Sequence, residues 1–362
     1  MCDFSQYGGP SEDWLAVEKT LPANTFDLSM DPVELRKIVN GTREETSALA
    51  MKTLAPQLKI GTYDIPTRDG SAIQARSYRP LAKPDDEKLP VFLYFHGGGF
   101  IFGTLSSDDG ACASLALKTG VVVLNVNYRH APEHIFPTAW LDAQDSFAWL
   151  HANISLPKIN GDASKVVIGG VSAGGQLSAS LVLEKHLGKS EVLKGLPAIA
   201  GQVLIIPALA FMDTYADGPL KKMKGPEFSS YKENEDAPVL PVKTVKWYTS
   251  YFKVDSLPAF NDTKLNIANA TTEEVEGLPP TVFGIAGLDP LRDEALLYAK
   301  TVAEAGVPTD IRVFKGVPHG FRRFGNALKA SAEWDRTLEE GIWWAIGKPK
   351  ATGRFDVKVV CD

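Results

Sequence analysis

Cysteine is scarce in this chain: three in 362 residues, Cys2, Cys112 and Cys361, too few and too scattered for a disulfide framework or a zinc site. Apolar runs are short. None approaches the roughly 20 residues that span a bilayer, and the opening MCDFSQYGGPSEDW has neither the basic start nor the apolar core of a signal peptide. Lysine and arginine form no block, and the net charge of −6 with a pI near 5.6 argues against nucleic-acid and acidic-membrane partners. Internal repeats and low-complexity tracts are absent as well. The expectation from these absences is a soluble, cytoplasmic protein for which a small neutral substrate is the easiest partner to accommodate.

What is present is an alternation of strand and helix patterns. Residues 1 to about 50 hold two helical stretches, DPVELRKIVNG and TREETSALAMKTLA, with apolar positions every three or four residues. Residues 57–80 read as a hairpin about TRDGS, with Asp69 and Gly70 at the turn. The apolar runs PVFLYF, VVVLNVN, KVVIGGV, AIAGQVLII, PPTVFGIAGL and TDIRVFKGV then alternate with helical segments, which predicts a mostly parallel sheet covered on both faces. The rhythm breaks between about Phe211 and Gly277, a stretch rich in Lys, Pro, Tyr and Asp that reads as an insertion packing with the N-terminal helices as a lid.

Gly170, Ser172 and Gly174 write G-x-S-x-G where a buried strand runs into a helix, so Ser172 is either a nucleophile on a sharp elbow or the small residue of a tight turn. A nucleophilic serine needs a base, and the base needs a carboxylate, in the chain order Ser, acid, His on such a sheet. Of six histidines, His96, His130, His134 and His151 precede the serine, and His186 follows too closely for an intervening strand. His319 remains, in VPHGF after a strand; its alternative is an ordinary loop histidine. The acid is expected at the end of the preceding strand, which selects Asp289 in GLDPLRDEA, with Asp293 and Glu294 as rivals, Asp293 the runner-up, and a helix N-cap as the other role for Asp289. YFHGGGF places three glycines after another strand, so backbone N–H groups there, with that of Ala173, can reach a substrate carbonyl. His96 either hydrogen-bonds this loop or packs beneath it, Phe100 and Phe102 are acyl-pocket or core residues, and Tyr128, Arg129, Glu133 and Asp142 read as a network supporting it.

With these residues in view, the chain resembles the hormone-sensitive lipase-like branch of the α/β-hydrolases, which holds microbial esterases and plant carboxylesterases. The likeness runs from about residue 55 to 345 and rests on HGGGF (96–100), YRHAPEHIFPTAWLD (128–142), GVSAGG (170–175), LPPTVFGIAGLDPLRDEA (278–295) and VPHGF (317–321). It implies an α/β-hydrolase fold with a helical cap: 1–55 an N-terminal cap part, 56–210 and 278–350 the two parts of the core, 211–277 a cap insertion and 351–362 a tail. It implies Ser172 as nucleophile, Asp289 as acid, His319 as base and Gly98, Gly99 and Ala173 as oxyanion donors. The implied activity is a serine carboxylester hydrolase for short- to medium-chain or small-molecule esters, extending to lactones, without metal or organic cofactor. Acyl transfer or amide cleavage by the same triad, and a non-catalytic receptor on the same fold, are the alternatives. Nothing in the sequence marks an oligomeric contact. Two departures stand out: Val171 replaces the acid the family usually writes before the nucleophile, and the cap segments carry no family motif.

Overall fold

In the computed structural model, which describes residues 1–21 and 27–361, the apolar runs form one nine-stranded sheet. Its strands are β1 (Leu58–Pro66), β2 (Ala72–Pro80), β3 (Leu89–Phe95), β4 (Val122–Asn127), β5 (Gly161–Val171), β6 (Gly201–Ile205), β7 (Thr281–Leu288), β8 (Thr309–Pro318) and β9 (Val357–Val359). The spatial order is β1-β2-β4-β3-β5-β6-β7-β8-β9. The first hairpin pairs antiparallel, β2 pairs antiparallel with β4, and every later pair is parallel. The helices of seven residues or more are α1 (Glu12–Glu18), α2 (Pro32–Leu54), α3 (Leu105–Thr119), α4 (Thr138–Asn153), α5 (Ala173–His186), α6 (Val242–Ser250), α7 (Arg292–Glu304) and α8 (Ala330–Ile346).

Continuous apolar strands need cover on both faces, and the period-2 alternation of side chains divides the core accordingly. Val91, Leu93, Phe95, Val166 and Ile168 point into one layer with α4, α5 and α7, while Phe92, Tyr94, Val167, Val203 and Ile205 point into the other with α3 and α8. The central strands β3, β5 and β7 thus carry little polar surface, and the polar side chains of the site gather at strand ends. The carboxyl ends of β3, β5, β7 and β8 lie side by side or one strand apart in the central run of parallel strands, the place where open α/β sheets gather ligand-binding residues.

Two features differ from the sequence expectation. The two N-terminal helical stretches form a single 23-residue helix, α2, started by Pro32 at its first turn and by Asp31 accepting from the Val33 and Glu34 N–H groups. Asn40-Gly41 does not break it, because the Asn40 side chain is engaged by Gly103, accepting from its N–H at 2.8 Å, instead of competing for its own backbone. The C-terminal tail also contributes structure: Val357–Val359 lies parallel to β8 as the ninth strand. Three residues are too short for a periodicity signal, and this strand exists only because β8 offers an edge.

The segment 211–277 leaves the sheet after β6 and returns at β7 through short helical turns and α6. Several of its aromatic residues turn inward: Phe252 packs edge-on against Phe100, and Trp247 and Tyr248 pack against Phe102. Leu35 of α2, Ile101, Phe102 and Ala131 make a small core on which Trp247, Tyr248 and Tyr251 rest, so α2, α6 and the glycine loop share one apolar contact. By contrast α1 packs elsewhere, with Trp14 against Phe324 in the layer beneath α8. Among the described residues no helix is long and apolar enough to cross a membrane.

The network expected around residues 128–142 divides into two. Arg129 meets the buried Asp142 through its guanidinium and its backbone N–H, at 2.6 to 3.1 Å, and reaches Asp69 in the β1–β2 turn at 2.6 Å. Tyr128 donates to the His96 carbonyl at 2.8 Å, while Glu133 holds Arg36, whose Nε donates to the Ile101 carbonyl at 2.6 Å. Removing Asp142 takes from Arg129 its buried, multiply bonded partner and leaves it only the half-exposed Asp69. Asp142→Ala is therefore expected to lower unfolding stability by about 3 kcal/mol, as read by urea denaturation.

Candidate active site

The serine sits where the backbone is least comfortable. Ser172 has φ 55° and ψ −115°, a conformation that costs roughly 1–3 kcal/mol for a residue with a Cβ and must be imposed by its surroundings. The surroundings are glycine. A Cβ on Gly174 would overlap the Phe95 carbonyl, and one on Gly170 would come within 2.5 Å of Gly174 and of that same carbonyl oxygen. The elbow is thus wedged against the end of β3. The Ser172 N–H donates to the Ile205 carbonyl at 2.9 Å, and Gln176 N–H returns to the Ser172 carbonyl at 3.0 Å. Ser172 occupies the N-cap position of α5, yet its side chain caps nothing there. Its hydroxyl is free for another partner.

That partner is His319. Nε2 of His319 lies 3.0 Å from Ser172 Oγ, and Nδ1 lies 2.6 Å from Asp289 Oδ2. A carboxylate only accepts, so Nδ1 carries the hydrogen and Nε2 keeps the lone pair that faces the serine hydroxyl. The histidine reaches this position because β7 and β8 lose register between Ala286 and Leu288, which turns the strand ends and pairs Leu288 with Pro318, and because Gly320 bends the chain at φ 63°. His319 and Asp289 are both buried, while Ser172 is half-exposed.

Asp289 uses one oxygen for the histidine and the other for the turn that precedes α7; it is not that helix's N-cap, a position Leu291 fills. Oδ2 accepts from His319, and Oδ1 accepts from the Leu291 N–H at 2.9 Å as the chain turns into α7. Its rival is occupied elsewhere: Asp293 meets Arg292 Nε at 2.8 Å and the Ser230 N–H at 2.6 Å, both buried. Glu294, the third acid of the motif, is buried too. It accepts from Leu209 N–H at 2.6 Å, Ala210 N–H at 3.2 Å and Tyr231 Oη at 3.3 Å, pinning the chain that follows β6.

The glycine loop faces the elbow across Gly97, whose position lies against Val171 and Ser172. Its peptide planes are held by their carbonyls. Gly97 O takes the His96 Nδ1–H at 3.2 Å and longer contacts from Arg43 at 3.4 and 3.5 Å; Gly98 O accepts from Ile101 and Phe102 N–H at 3.1 and 2.9 Å. In a trans peptide the next N–H points the opposite way, so fixing these two carbonyls aims the Gly98 and Gly99 N–H groups out of the loop. Among the described residues neither has a backbone acceptor. The glycines are required: a Cβ on Gly98 would overlap the Phe102 carbonyl, and one on Gly99 would overlap the Tyr248 ring.

His96 both bonds and packs. Its ring stacks on Tyr128 with centroids 4.5 Å apart and leaves no room for a side chain at Gly103, and burial pushes its pKa down to about 4, so it is a neutral imidazole donating to Gly97 O. Phe100 and Phe102 are both buried, stacked against Trp140 and Trp247. Among the described residues no group of three His, Cys, Asp or Glu side chains is placed to hold a metal ion. The residues that sequence reading missed are Arg36, Asn40 and Arg43 of α2 and Tyr248 of α6. They reach the loop across 54 to 149 positions of chain, and no local pattern announces such contacts.

A model of the family described by the alpha/beta hydrolase fold matches residues 92–323. The chain is 32% identical over 321 residues to esterase LipI of Mycobacterium tuberculosis, covering 87% of this chain and 89% of that one. It is 34% identical over 297 residues to an ethyl acetate hydrolase of Pseudomonas putida, covering 80% and 84%. Among solved structures it is similar to vibralactone cyclase, with a TM-score of 0.80 and 27% identity over 96% of this chain and 98% of that one.

Asp289→Asn is expected to lower kcat by at least about a hundredfold with the fold retained, since the amide favours the wrong histidine tautomer. Asp293→Asn should instead lower the unfolding midpoint, because it weakens the pair with buried Arg292; ester turnover and thermal unfolding of both variants distinguish the two acids. A pH dependence follows from Glu294. Burial pushes its carboxyl up to about 8 from 4.5. Between these values the unfolded chain has released the proton and the folded chain still holds it, so this group's contribution to stability falls as pH rises from about 4.5 to 8. Glu294→Gln has no proton to lose, and its stability relative to wild type should rise across that window in urea unfolding at pH 5 and pH 8.

Proposed function

The chain belongs to the α/β-hydrolase family, in its hormone-sensitive lipase-like branch, and is a hydrolase related to esterases and carboxylesterases; from that premise we propose that it is a serine carboxylester hydrolase working through an acyl-enzyme. The observation that carries the reading is the continuous hydrogen-bonded line from Asp289 through His319 to Ser172, at 2.6 and 3.0 Å, beside outward-aimed glycine N–H groups.

Ser172 Oγ attacks the ester carbonyl while His319 Nε2 takes its proton, and Asp289 holds the imidazolium that forms. The carbonyl oxygen becomes an oxyanion received by the N–H groups of Gly98, Gly99 and Ala173, the last at the N-terminus of α5, where the helix field favours negative charge. Collapse breaks the bond to the alcohol oxygen, which leaves with the proton from His319. Water then attacks the acyl-serine, gives its proton to His319 and releases the acid, and that proton returns to Ser172. Each pre-aimed donor contributes about 3 kcal/mol at the transition state, because it needs no reorientation when charge appears.

Residues 211–277 and α2 roof this cleft as a cap, a role supported by the apolar contact that α2 and α6 share over the glycine loop. Short- to medium-chain or small-molecule esters are the substrate class, in keeping with the likeness to an ethyl acetate hydrolase. A second reading, transfer of the acyl group to an alcohol rather than water, uses the same triad and differs only in the second nucleophile. A non-catalytic receptor has no use for a histidine bonded to the serine.

Wild-type protein is expected to hydrolyse a short p-nitrophenyl ester and to be labelled at Ser172 by a fluorophosphonate. Ser172→Ala should lose both, with a fall in turnover of at least about a thousandfold. Wild-type protein with neither turnover nor labelling overturns the esterase reading.

A further inference from the structure

The cleft carries positive charge that the triad does not use, although the molecule as a whole is acidic. Arg323 lies four residues beyond His319. Its Nε donates to the Gly320 carbonyl at 3.2 Å and its Nη2 rests 3.1 Å from where a Gly320 Cβ would stand, so the guanidinium folds back over the turn that carries the base. Among the described residues no carboxylate lies within ion-pairing distance of it. The adjacent Arg322 makes the contrast, with both its Nε and Nη2 on Asp335 at 2.6 and 2.8 Å.

A second guanidinium arrives from α2. Arg43 approaches the Gly97 carbonyl, and its one carboxylate contact, Asp108 at 3.3 Å, is shared with Tyr94 Oη at 3.0 Å and Ser107 Oγ at 2.7 Å. Tyr248 lies on Gly99 and joins the two: both arginines act electrostatically on its hydroxyl, and Arg43 acts on Arg323. Val171 sharpens the imbalance. At the position where the family usually has an acid, a valine side chain faces Gly97 and supplies no negative charge to offset these cations.

We propose that Arg323, backed by Arg43 and the Tyr248 hydroxyl, is a binding site for a carboxylate on the substrate, so that this enzyme prefers esters bearing a second, anionic group. The inference rests on the esterase reading and replaces the neutral-substrate expectation drawn from net charge. A planar guanidinium with N–H groups to spare matches a carboxylate in two-point geometry; burial and the nearby Arg43 pull the Arg323 pKa down, but from so high an ordinary value that the group stays charged. Placed over the base turn, the anion anchors the ester within reach of Ser172.

The test compares kcat/KM for matched pairs at low salt. Mono-p-nitrophenyl adipate against p-nitrophenyl hexanoate places the charge on the acyl side; 4-acetoxybenzoate against methyl 4-acetoxybenzoate places it on the alcohol side. One anionic ester is expected to exceed its neutral counterpart by about tenfold. The ratio should fall towards one in Arg323→Gln, recover in part in Arg323→Lys, and shrink with added salt as screening shortens the reach of the charge. Ratios at or below one in wild type for both pairs, or an Arg323→Gln variant that changes charged and neutral esters by the same factor, overturn the proposal while ester turnover stands. Loss of turnover on all four esters, with Ser172 unlabelled by fluorophosphonate, overturns the esterase reading itself.

Discussion

Everything at the site depends on how closely β5 and its elbow approach the end of β3. Gly170 and Gly174 are pressed against the Phe95 carbonyl so tightly that a single added methyl at Gly174 would overlap it. This contact forces Ser172 to positive φ and turns its hydroxyl away from capping α5. It also sets the glycine loop, which continues directly from β3, alongside the serine. One steric constraint between neighbouring parallel strands thus brings together Ser172, the proposed nucleophile, and the backbone donors proposed for it, and it operates through atoms that every residue possesses.

The glycine loop is fixed from two sides by parts of the chain that are not in the sheet. From α2, Arg36 holds the Ile101 carbonyl and Asn40 the Gly103 N–H; from the insertion, Tyr248 covers Gly99 and Trp247 stacks over Phe102. The same elements proposed to roof the cleft therefore hold the glycine loop in place. A substitution in α2 or α6 that shifts the roof also tilts the Gly98 and Gly99 N–H groups, so the pocket wall and the proposed catalytic donors are not independently adjustable.

The motif LDPLRDEA shows how one short stretch assigns three acids to three tasks. Asp289 ends a strand and divides its oxygens between His319 and the turn into α7. Asp293, one helical turn later, faces Arg292 and Ser230, and Glu294 faces the backbone after β6. Pro290 ends the strand and the helix then separates its side chains by about 100° per residue, so adjacent acids cannot share a partner.

Much of this was readable along the chain. The hairpin signal named β1 and β2, the apolar runs named β3 to β8, and the order Ser172, Asp289, His319 named the three side chains that the structure brings into one hydrogen-bonded line, because strand alternation and chain order are local or one-dimensional properties. Three other things needed the tertiary structure. The Asn40-Gly41 pair, which reads as a break, stays helical only because Gly103, more than sixty residues away, engages the Asn40 side chain. Val357–Val359 becomes a strand only at the edge of β8. Arg43, Tyr248 and Arg323 belong to three distant segments, and periodicity carries no signal for a long side chain reaching across a cleft. The sequence by itself determined which backbone could bend and which residues could react; the packing of α2 and the insertion onto the glycine loop decided what surrounds them, because contacts across long chain separations exist only once the sheet has formed.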